Sequence, residues 1–568
     1  MITLPPGSIL KRISILLAPL VALTSCLSDG SVNPTPTGQT DPTSTETTDP
    51  PSKPCVLATG GSAPVNTGSA SGDALHLSGE VFLCAQELVI AGDEDINVLA
   101  AAAQLASAVG GPLLLPHPQL AAELGRLKPS VIYVLGGVAA TTPPQTEVRR
   151  LTTLEAVDLA AEALGVTIEV RLPATPDAST IVETIRAMAA RDRVVLPQSS
   201  PGTTDPTTSQ AIDVATVVES LASPTESETL WLVEASDPAA ILTTAAIARS
   251  TGATVVPVDG TDLFAFPELG DVLAGRPPGA IRAIGNIPEG SDWELRVLAG
   301  GHQVPGGGYQ IFPDGSLRRF LAFYGHPETS ALGALGEQPG PRETLQRMQP
   351  FLDAYGADGA HVIPTFEIIA TVASAGATED GNYSFEWPSE TFAEWVEAAA
   401  EIDGYVVLDL QPGRTDFLTQ AMRYEDLLRL PHVGLALDPE WRLKPDQVHL
   451  RQIGRVSAAE VNTVVDWLAD LVNSEGIPQK LFIVHQFRDF MIEDRATLAE
   501  RKELAMVIQM DGQGPIHTKD ETYRVLTSGT QDNHWRWGWK NFFRMDEPTP
   551  SPEHTLGKDP VPVFVSYQ

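Results

Sequence analysis

Polar and ionisable residues follow six separate apolar runs in the second half of this 568-residue chain. Paired carboxyl groups, one kept protonated by burial and one ionised, catalyse the hydrolysis of glycosidic bonds. The carboxylates at these positions, which are the candidate catalytic residues, are Glu367, Asp409, Asp438, Glu440 and Asp511. One member of the catalytic pair is expected to be Glu367 or Asp438. The other is expected to be Asp511 or Glu440.

Large aromatic residues are concentrated in the same half, because eight of the nine tryptophans follow residue 290. Aromatic rings in such a region commonly line clefts that bind sugars, although they also fill hydrophobic cores. Aromatic and histidine side chains at or near the ends of the apolar runs are therefore expected to bind substrate. They are His326, Trp441, His485, Trp535 and Trp537.

Other chemistries compete with glycoside hydrolysis for the same residues. His326, Asp438, His485 and Asp511 could instead hold a divalent cation in a metal-dependent hydrolase. The chain has no H-E-x-x-H motif, so we assign no metal ligands and no cofactor, and a divalent cation stays the alternative. All three cysteines lie in the first 84 residues and no G-x-S-x-G elbow occurs, which disfavours a catalytic thiol and a serine esterase. A purely structural network of acids, in a protein that binds without catalysis, also fits these positions.

The sequence pattern of residues 291–568 predicts alternating strands and helices, and these elements must position the candidate residues. Seven short apolar runs alternate with amphipathic helical segments such as 389–401 and 458–471. Such alternation over about 250 residues predicts a (β/α)₈ barrel, whose strands all point their carboxyl ends at one mouth. The eighth strand is expected between Thr522 and Trp539. The prediction therefore places the candidate residues at the mouth of a barrel.

Residues 55–290 are predicted to form an α/β region with parallel sheets. Their β-branched runs lack polar alternation, and alanine-rich helical segments separate these runs. Two stretches, 88–138 and 230–287, align as strand, helix, strand, helix, strand, and a more degenerate copy lies between them. The first stretch contains the strand Leu88–Ala91, then Gly110-Gly111-Pro112-Leu113-Leu114-Leu115, and finally Val131–Gly137. Asp93, Glu94 and Asp95, which follow its first strand, are either solvated turn acids or a cation site.

This pattern resembles the cell wall-binding repeat type 2 family of Gram-positive surface proteins. The resemblance implies tandem repeats, typically three, that associate with anionic polymers of the cell wall. The second stretch departs from the family at Ile284-Gly285-Asn286, where the family has a Gly-Gly pair. The C-terminal half resembles uncharacterised secreted barrel proteins of Gram-positive bacteria, a resemblance that implies no reaction.

The first 26 residues predict export. Lys11 and Arg12 precede a short apolar stretch, and Leu23-Thr24-Ser25-Cys26 resembles the bacterial lipobox, which implies that Cys26 receives the lipid, with palmitate among its acyl chains. Residues 27–54, rich in Ser, Thr and Pro, are typical of a disordered stalk. In an oxidising compartment, Cys55 and Cys84 are expected to form a disulfide.

The formal net charge of −35 disfavours nucleic acid as a partner. The sequence thus predicts a lipid-anchored protein on the outer face of the cytoplasmic membrane, associated with the cell wall, whose barrel hydrolyses an envelope glycan. A non-catalytic wall-binding adhesin or scaffold is the first alternative, and a metal-dependent hydrolase is the second.

Overall fold

The computed structural model describes residues 64–139, 143–169, 184, 193–195, 229–258, 262–265, 267–276, 280–285, 287, 291–313, 315–528 and 535–568. The predicted export signal with Cys26, the predicted stalk and Cys55 therefore lie outside the described residues. Within them, no helix has the length and apolar character that crossing a membrane requires.

The first sheet has four parallel strands in the order β2-β1-β3-β4. Its strands are β1 (Glu87–Ala91), β2 (Leu113–Leu114), β3 (Val131–Leu135) and β4 (Glu147–Leu151), and the helices around them are α1 (Ala70–Val81), α2 (Ile96–Val109), α3 (Leu120–Leu127) and α4 (Thr153–Leu164). β1 and α2 are largely buried, because the alanines of α2 let the helix approach the sheet closely. A separate parallel pair joins β5 (Thr167–Glu169) to β6 (Arg193–Val195).

The second sheet has three parallel strands in the order β8-β7-β9. Its elements are β7 (Leu230–Glu234), α5 (Pro238–Thr251), β8 (Thr254–Val258), α6 (Pro267–Leu273) and β9 (Ile281–Ile284). The strand order repeats that of β2, β1 and β3, since in both cases the first strand of the segment lies in the middle. α7 (Asp292–Gly300) follows, and its Trp293 indole donates a hydrogen bond to the Ile477 carbonyl, 3.0 Å away, in the C-terminal half.

The C-terminal half contains the predicted closed barrel of eight parallel strands. They are β10 (Arg318–Gly325), β11 (His361–Ala373), β13 (Tyr405–Leu410), β14 (Val433–Leu437), β16 (Lys480–Gln486), β18 (Leu504–Met510), β19 (Arg536–Asn541) and β20 (Phe564–Tyr567). Pairing runs around the ring and closes between β10 and β11. The strand that the sequence pattern left unassigned is β19, which starts inside the expected interval and ends two residues beyond it.

Short strands and helices complete the C-terminal half. The strands are β12 (Ser384–Glu386), which pairs antiparallel with β11, and β15 (Val456–Ser457) with β17 (Ile492–Glu493). The helices are α8 (Pro341–Tyr355), α9 (Ala393–Glu401), α10 (Phe417–Ala421), α11 (Glu425–Leu428), α12 (Ala458–Glu475), α13 (Ile516–Thr527) and α14 (Pro552–Leu556). α12 shows how these helices are fixed, since Ser457 caps its first turn and Gly476 ends it in a left-handed conformation.

Alternate residues of each barrel strand point into the barrel, because side chains along a strand change face at every residue. The interior is filled by apolar side chains, which include Phe320, Ile363, Tyr405, Val407, Leu481, Ile483, Val507 and Phe564. The opposite faces pack against the outer helices. The barrel is therefore solid below its mouth, and the last inward position of each strand faces that mouth.

Candidate active site at the barrel mouth

Seven ionisable side chains end the inward-facing rows of seven strands. They are Tyr324, Glu367, Asp409, Asp438, His485, Asp511 and Lys540, and all seven are buried. The row on β10 is apolar below this level, with Phe320 and Ala322 before Tyr324. Asp511 lies one residue beyond β18 and continues its inward row past Gln509. Burying so many ionisable groups costs several kcal/mol per unpaired charge, so their mutual contacts decide whether the cluster is stable.

His485 lies at the centre of this cluster. Its Nδ1 is 3.0 Å from Oδ2 of Asp511, and its Nε2 is 3.1 Å from Oε1 of Glu367. Oδ1 of Asp409 lies 3.8 Å from the same Nε2. Since carboxylates accept hydrogen bonds at both ring nitrogens, the arrangement favours an imidazolium that donates from both.

The charge on His485 follows from these neighbours. Burial disfavours the protonated ring, but the charge of Asp409 and the hydrogen bonds to Asp511 and Glu367 outweigh burial and raise the pKa of His485 well above its ordinary value. His485 is thus the internal cation that permits several carboxylates to share one buried site.

Tyr324 and Lys540 form the other side of the cluster. The Tyr324 hydroxyl donates to Oδ2 of Asp409 at 2.8 Å and accepts from Nε2 of Gln411 at 3.2 Å. The Lys540 ammonium lies 3.3 Å from the centre of the Tyr324 ring, a cation–π contact. Burial raises the pKa of Asp409 to about 6, although the charge of His485 acts in the opposite direction. Asp409 is therefore a carboxyl group that titrates close to neutral pH.

Lys540 is held in place from outside the barrel. The buried Lys519 ammonium of α13 donates to the Lys540 carbonyl at 2.7 Å and to Oδ2 of Asp546 at 2.8 Å. This contact ties the carboxyl end of β19 to the helix that follows β18. The backbone position of Lys540 is thus fixed by a buried ion pair that takes no part in the mouth itself.

Asp438 and Glu440 lie just after β14. Asp438 caps the short 3₁₀ helix Pro439–Trp441, and Glu440 belongs to that helix. Oδ1 of Asp438 accepts a hydrogen bond from the backbone N–H of Glu440 at 3.2 Å. Asp438 is buried, whereas Glu440 is only partly buried. Burial, followed by the negative charge of Asp511, raises the pKa of Glu440 to about 7. Burial also raises the pKa of Asp438 well above its usual range. Glu440 is thus the most accessible acid of the group and is half protonated near neutral pH.

Several carboxylate oxygens in the cluster have no hydrogen-bond partner among the described residues. They are Oε2 of Glu367, Oδ1 of Asp409 and Oδ1 of Asp511. One ligand atom each of Asp438, His485 and Asp511 lies within 4.8 Å of the others, a spacing that suits a metal ion. His485 would have to give up a hydrogen bond to a carboxylate in order to ligate a metal, because both of its nitrogens are engaged.

The structure brings together most of the predicted catalytic residues and separates some of the predicted binding residues from them. Glu367, Asp409, Asp438 and Asp511 surround His485, and Glu440 lies at the open edge. Trp441 is partly buried beside the His449 ring, with the ring centres 5.3 Å apart.

Of the other predicted binding residues, His485 lies at the centre of the cluster, whereas His326, Trp535 and Trp537 pack against aromatic side chains outside it. His326 packs against Trp387, with ring centres 4.5 Å apart, and burial lowers the pKa of His326. Trp535 packs near Phe482, and Trp537 packs against Tyr523 of α13, so both lie in the layer between barrel and helices. These two tryptophans are not at the mouth, because odd-numbered residues of β19 point outward.

Tyr324 and Lys540 are the members of the site that the sequence pattern did not single out. Tyr324 belongs to an aromatic run, Phe323-Tyr324, whose sequence is typical of a hydrophobic core. Lys540 lies in β19, the strand that was not assigned, and the alternation of Trp537 and Trp539 on one face would have placed Lys540 on the inward face. Period-two alternation is thus the signal that could have found both residues.

Comparisons with known proteins add no family assignment. No protein-family model matches the chain, and no curated protein matches it. Two similar solved structures are "Cwp8 from Clostridium difficile", with 15% identity over 43% of this chain, and "Cwp6 from Clostridium difficile", with 14% identity over 56%. This chain spans 52% of the first protein and 64% of the second, each with a TM-score of 0.34. At that score neither likeness establishes a fold or an activity.

Proposed function

We propose that the barrel is a glycoside hydrolase that cleaves an envelope glycan, with Glu440 as the general acid and Asp511 as its ionised partner. The observation that carries the proposal is that the negative charge of Asp511 acts on Glu440, which is the least buried acid of the cluster. Glu440 has a pKa raised to about 7, in part by the charge of Asp511, whereas Asp511 accepts a hydrogen bond from the buried His485. Glycoside hydrolysis requires one carboxyl group that keeps its proton and a second carboxyl group that is held as a hydrogen-bond acceptor.

The reaction uses one proton and one water molecule. Glu440 donates its proton to the glycosidic oxygen as the bond from that oxygen to the anomeric carbon breaks. Asp511 either attacks the anomeric carbon or accepts a proton from the attacking water, and the anomeric configuration of the product distinguishes the two courses. His485 holds Asp511 in position through the bond at 3.0 Å and neutralises part of its charge.

The test is a pair of isosteric substitutions. Glu440→Gln and Asp511→Asn remove one proton-transfer group each without changing the size of the side chain. We expect each variant to lose at least about a thousandfold in kcat/KM on glycan released from a Gram-positive cell wall, since general acid catalysis alone contributes about 10²–10⁴-fold. Release of reducing ends measures the rate.

A matched control is Asp353→Asn, which alters an exposed acid of α8 far from the mouth. It should leave the rate unchanged. Full activity of Glu440→Gln, or no hydrolysis of any envelope glycan by the wild-type protein, contradicts the proposed reaction.

A metal-dependent hydrolase is the second candidate, and one observation favours it. Asp438, His485 and Asp511 offer ligand atoms within 4.8 Å of each other, and Oδ1 of Asp511 has no hydrogen-bond partner among the described residues. A nitrogen ligand with two carboxylates suits a divalent first-row cation. Titration with Zn²⁺ or Mn²⁺ in a calorimeter should show stoichiometric binding that Asp438→Asn abolishes. Loss of hydrolysis in EDTA would favour this candidate over the metal-free reaction.

The proposal for the whole chain keeps the predicted order of parts. These are an export signal (1–26), a stalk (27–54), a wall-binding α/β region (55–290) and the barrel (291–568). The common strand order of the two N-terminal sheets, with the first strand in the middle, supports the idea that they are copies of one repeat. Both copies also begin their first helix with an aspartate cap, Asp95 and Asp237. If the barrel proves inactive, wall binding by this region leaves an adhesin or scaffold as the function.

Anchoring has its own test. Cys26→Ala should release the protein from the membrane fraction, whereas continued retention would contradict lipidation. Cys84 is partly buried after α1, and its proposed disulfide with Cys55 predicts a mass shift of two hydrogens on reduction. Alkylation of Cys55 and Cys84 without prior reduction would contradict the disulfide.

A further inference from the structure

A groove of about 370 Å³ opens beside the mouth, between the loop that follows β16 and helix α13. Its volume falls within the range of pockets that bind small ligands, about 300–1,000 Å³. The polar and aromatic groups that line it include Phe487, Arg488, Asp489, His517, Thr518 and Glu521. None of these residues contacts the central His485 cluster through a hydrogen bond among the described residues, so the groove is distinct from the proposed catalytic centre.

The two walls of the groove begin at the two strands that carry the central hydrogen bond of the site. Phe487 follows His485 by two residues, and α13 begins five residues after Asp511. The walls meet at Gly512, where an added Cβ would lie 3.4 Å from Cβ of Phe487 and 3.8 Å from Cγ2 of Thr522. The groove therefore runs outward from the side of the mouth where Asp511 lies.

The lining suits a neutral sugar. A sugar ring has apolar C–H faces and a rim of hydroxyl groups. The partly buried Phe487 and Val525, which is 46% exposed, offer apolar surface, while Thr518 and His517 offer hydrogen-bonding groups.

Charge narrows the class of sugar. Arg488 is offset by Asp489 and Glu521 in the groove. A uronic acid or a phosphate-bearing sugar would therefore meet a net negative charge there.

We propose that this groove binds neutral sugar residues of the same glycan chain, beyond the bond that is cleaved. This inference rests on the proposed function, because it takes the mouth as the place where the glycan is cut. A chain held in the groove enters the mouth from the side of β16 and β18 and presents its glycosidic bond to Asp511. The groove then sets a preference for long, uncharged chains.

Binding and hydrolysis are measured separately in the test. The full-length Glu440→Gln protein is titrated in a calorimeter with neutral oligosaccharides from a Gram-positive cell wall, in pools of two and six sugars. Phe487→Ala and His517→Ala, each added to Glu440→Gln, should weaken binding of the hexasaccharide about tenfold and leave binding of the disaccharide unchanged. Phe490→Ala is the matched control, because Phe490 is 46% exposed in the same loop but does not line the groove.

Each outcome distinguishes the groove from the reaction. Equal weakening by Phe487→Ala and Phe490→Ala, an equal effect on both pools, or tighter binding of an acidic hexasaccharide pool would overturn the groove proposal. Absence of hexasaccharide binding to the Glu440→Gln protein would overturn it as well. Length-dependent binding without any hydrolysis by the wild-type protein would leave the groove proposal intact and refute the proposed function alone.

Discussion

The N-terminal sheets and the barrel use the same local pattern, an acidic residue after a parallel strand, for two different purposes. In the N-terminal region, Asp93, Glu94 and Asp95 are exposed, and Asp95 caps α2 by accepting from the Asn97 N–H at 2.8 Å. In the barrel, Asp409 and Asp438 are buried and share His485 with other acids. The difference shows that such acids form a shared buried site only where the sheet closes, because only a closed barrel points the ends of eight strands at one small volume.

The largest expected effect comes from removing the central cation. His485→Ala leaves several buried carboxylates without their common partner, and breaking such a buried network costs about 3–5 kcal/mol of unfolding free energy. Denaturant unfolding at pH 7 measures this loss. His76→Ala in the N-terminal region is the control, because His76 pairs with Glu80 at the surface and its loss should have little effect.

The effect of His485→Ala on stability should depend on pH in two directions. The raised pKa of His485 means that its stabilising charge is fully present below its ordinary pKa and is lost as pH rises through the folded value. Asp409, whose pKa burial raises to about 6, takes up its proton below that pH and then needs the cation less. The difference between wild type and variant should therefore peak near neutral pH. A difference that is constant from pH 5 to pH 9 would contradict the proposed charge sharing.

A smaller effect is expected on the pH dependence of hydrolysis. Glu440 must carry its proton, so kcat should fall tenfold for each pH unit above about 7. The positive charge of Lys540 lowers the pKa of Glu440, so Lys540→Met should move this alkaline limb to higher pH. Lys444→Met, which alters an exposed lysine of the loop after β14, should leave the limb in place. A downward shift in Lys540→Met would exclude Glu440 as the acid.

The smallest effect is expected in the N-terminal region, and it should leave catalysis unchanged. Asp95→Ala removes the N-cap of α2 and should cost about 1 kcal/mol of stability. Asp93→Ala, at an exposed neighbouring position, should change the stability much less. An equal loss in both variants, accompanied by weaker binding of Ca²⁺ in a calorimeter, would instead favour the cation site among Asp93, Glu94 and Asp95.

The sequence pattern predicted the barrel because its strand signals are local. Apolar runs of four to six residues identified seven strands, and the residues that follow six of these runs include the five candidate carboxylates. The eighth strand escaped because Trp535, Trp537 and Trp539 alternate with Arg536, Gly538 and Lys540, so no continuous apolar run marks it. Two of those tryptophans were expected at the mouth, but Trp537 packs against Tyr523 of α13 and Trp535 packs near Phe482.

The amino-acid sequence alone could not predict which side chains of the site contact each other. His485 and Glu367 are 118 residues apart, and their contact at 3.1 Å exists only because β11 and β16 belong to the same closed ring. Likewise, the separation of His326 from the cluster depends on the bend after β10 that turns its ring against Trp387. Neither contact can be predicted from the spacing of nearby residues in the sequence.

The amino-acid sequence by itself determined the alternation of strands and helices, the helix caps and the residue type that ends each strand, since these depend on neighbours a few positions away. The tertiary structure alone decided which of those ends share a charge, which acid stays protonated and which aromatic rings face solvent. The physical reason is that pKa values and contacts depend on distance in space. Closing the barrel brings carboxylates from four strands and the ring of His485 into one buried volume, where burial and mutual charge, rather than sequence, set their protonation.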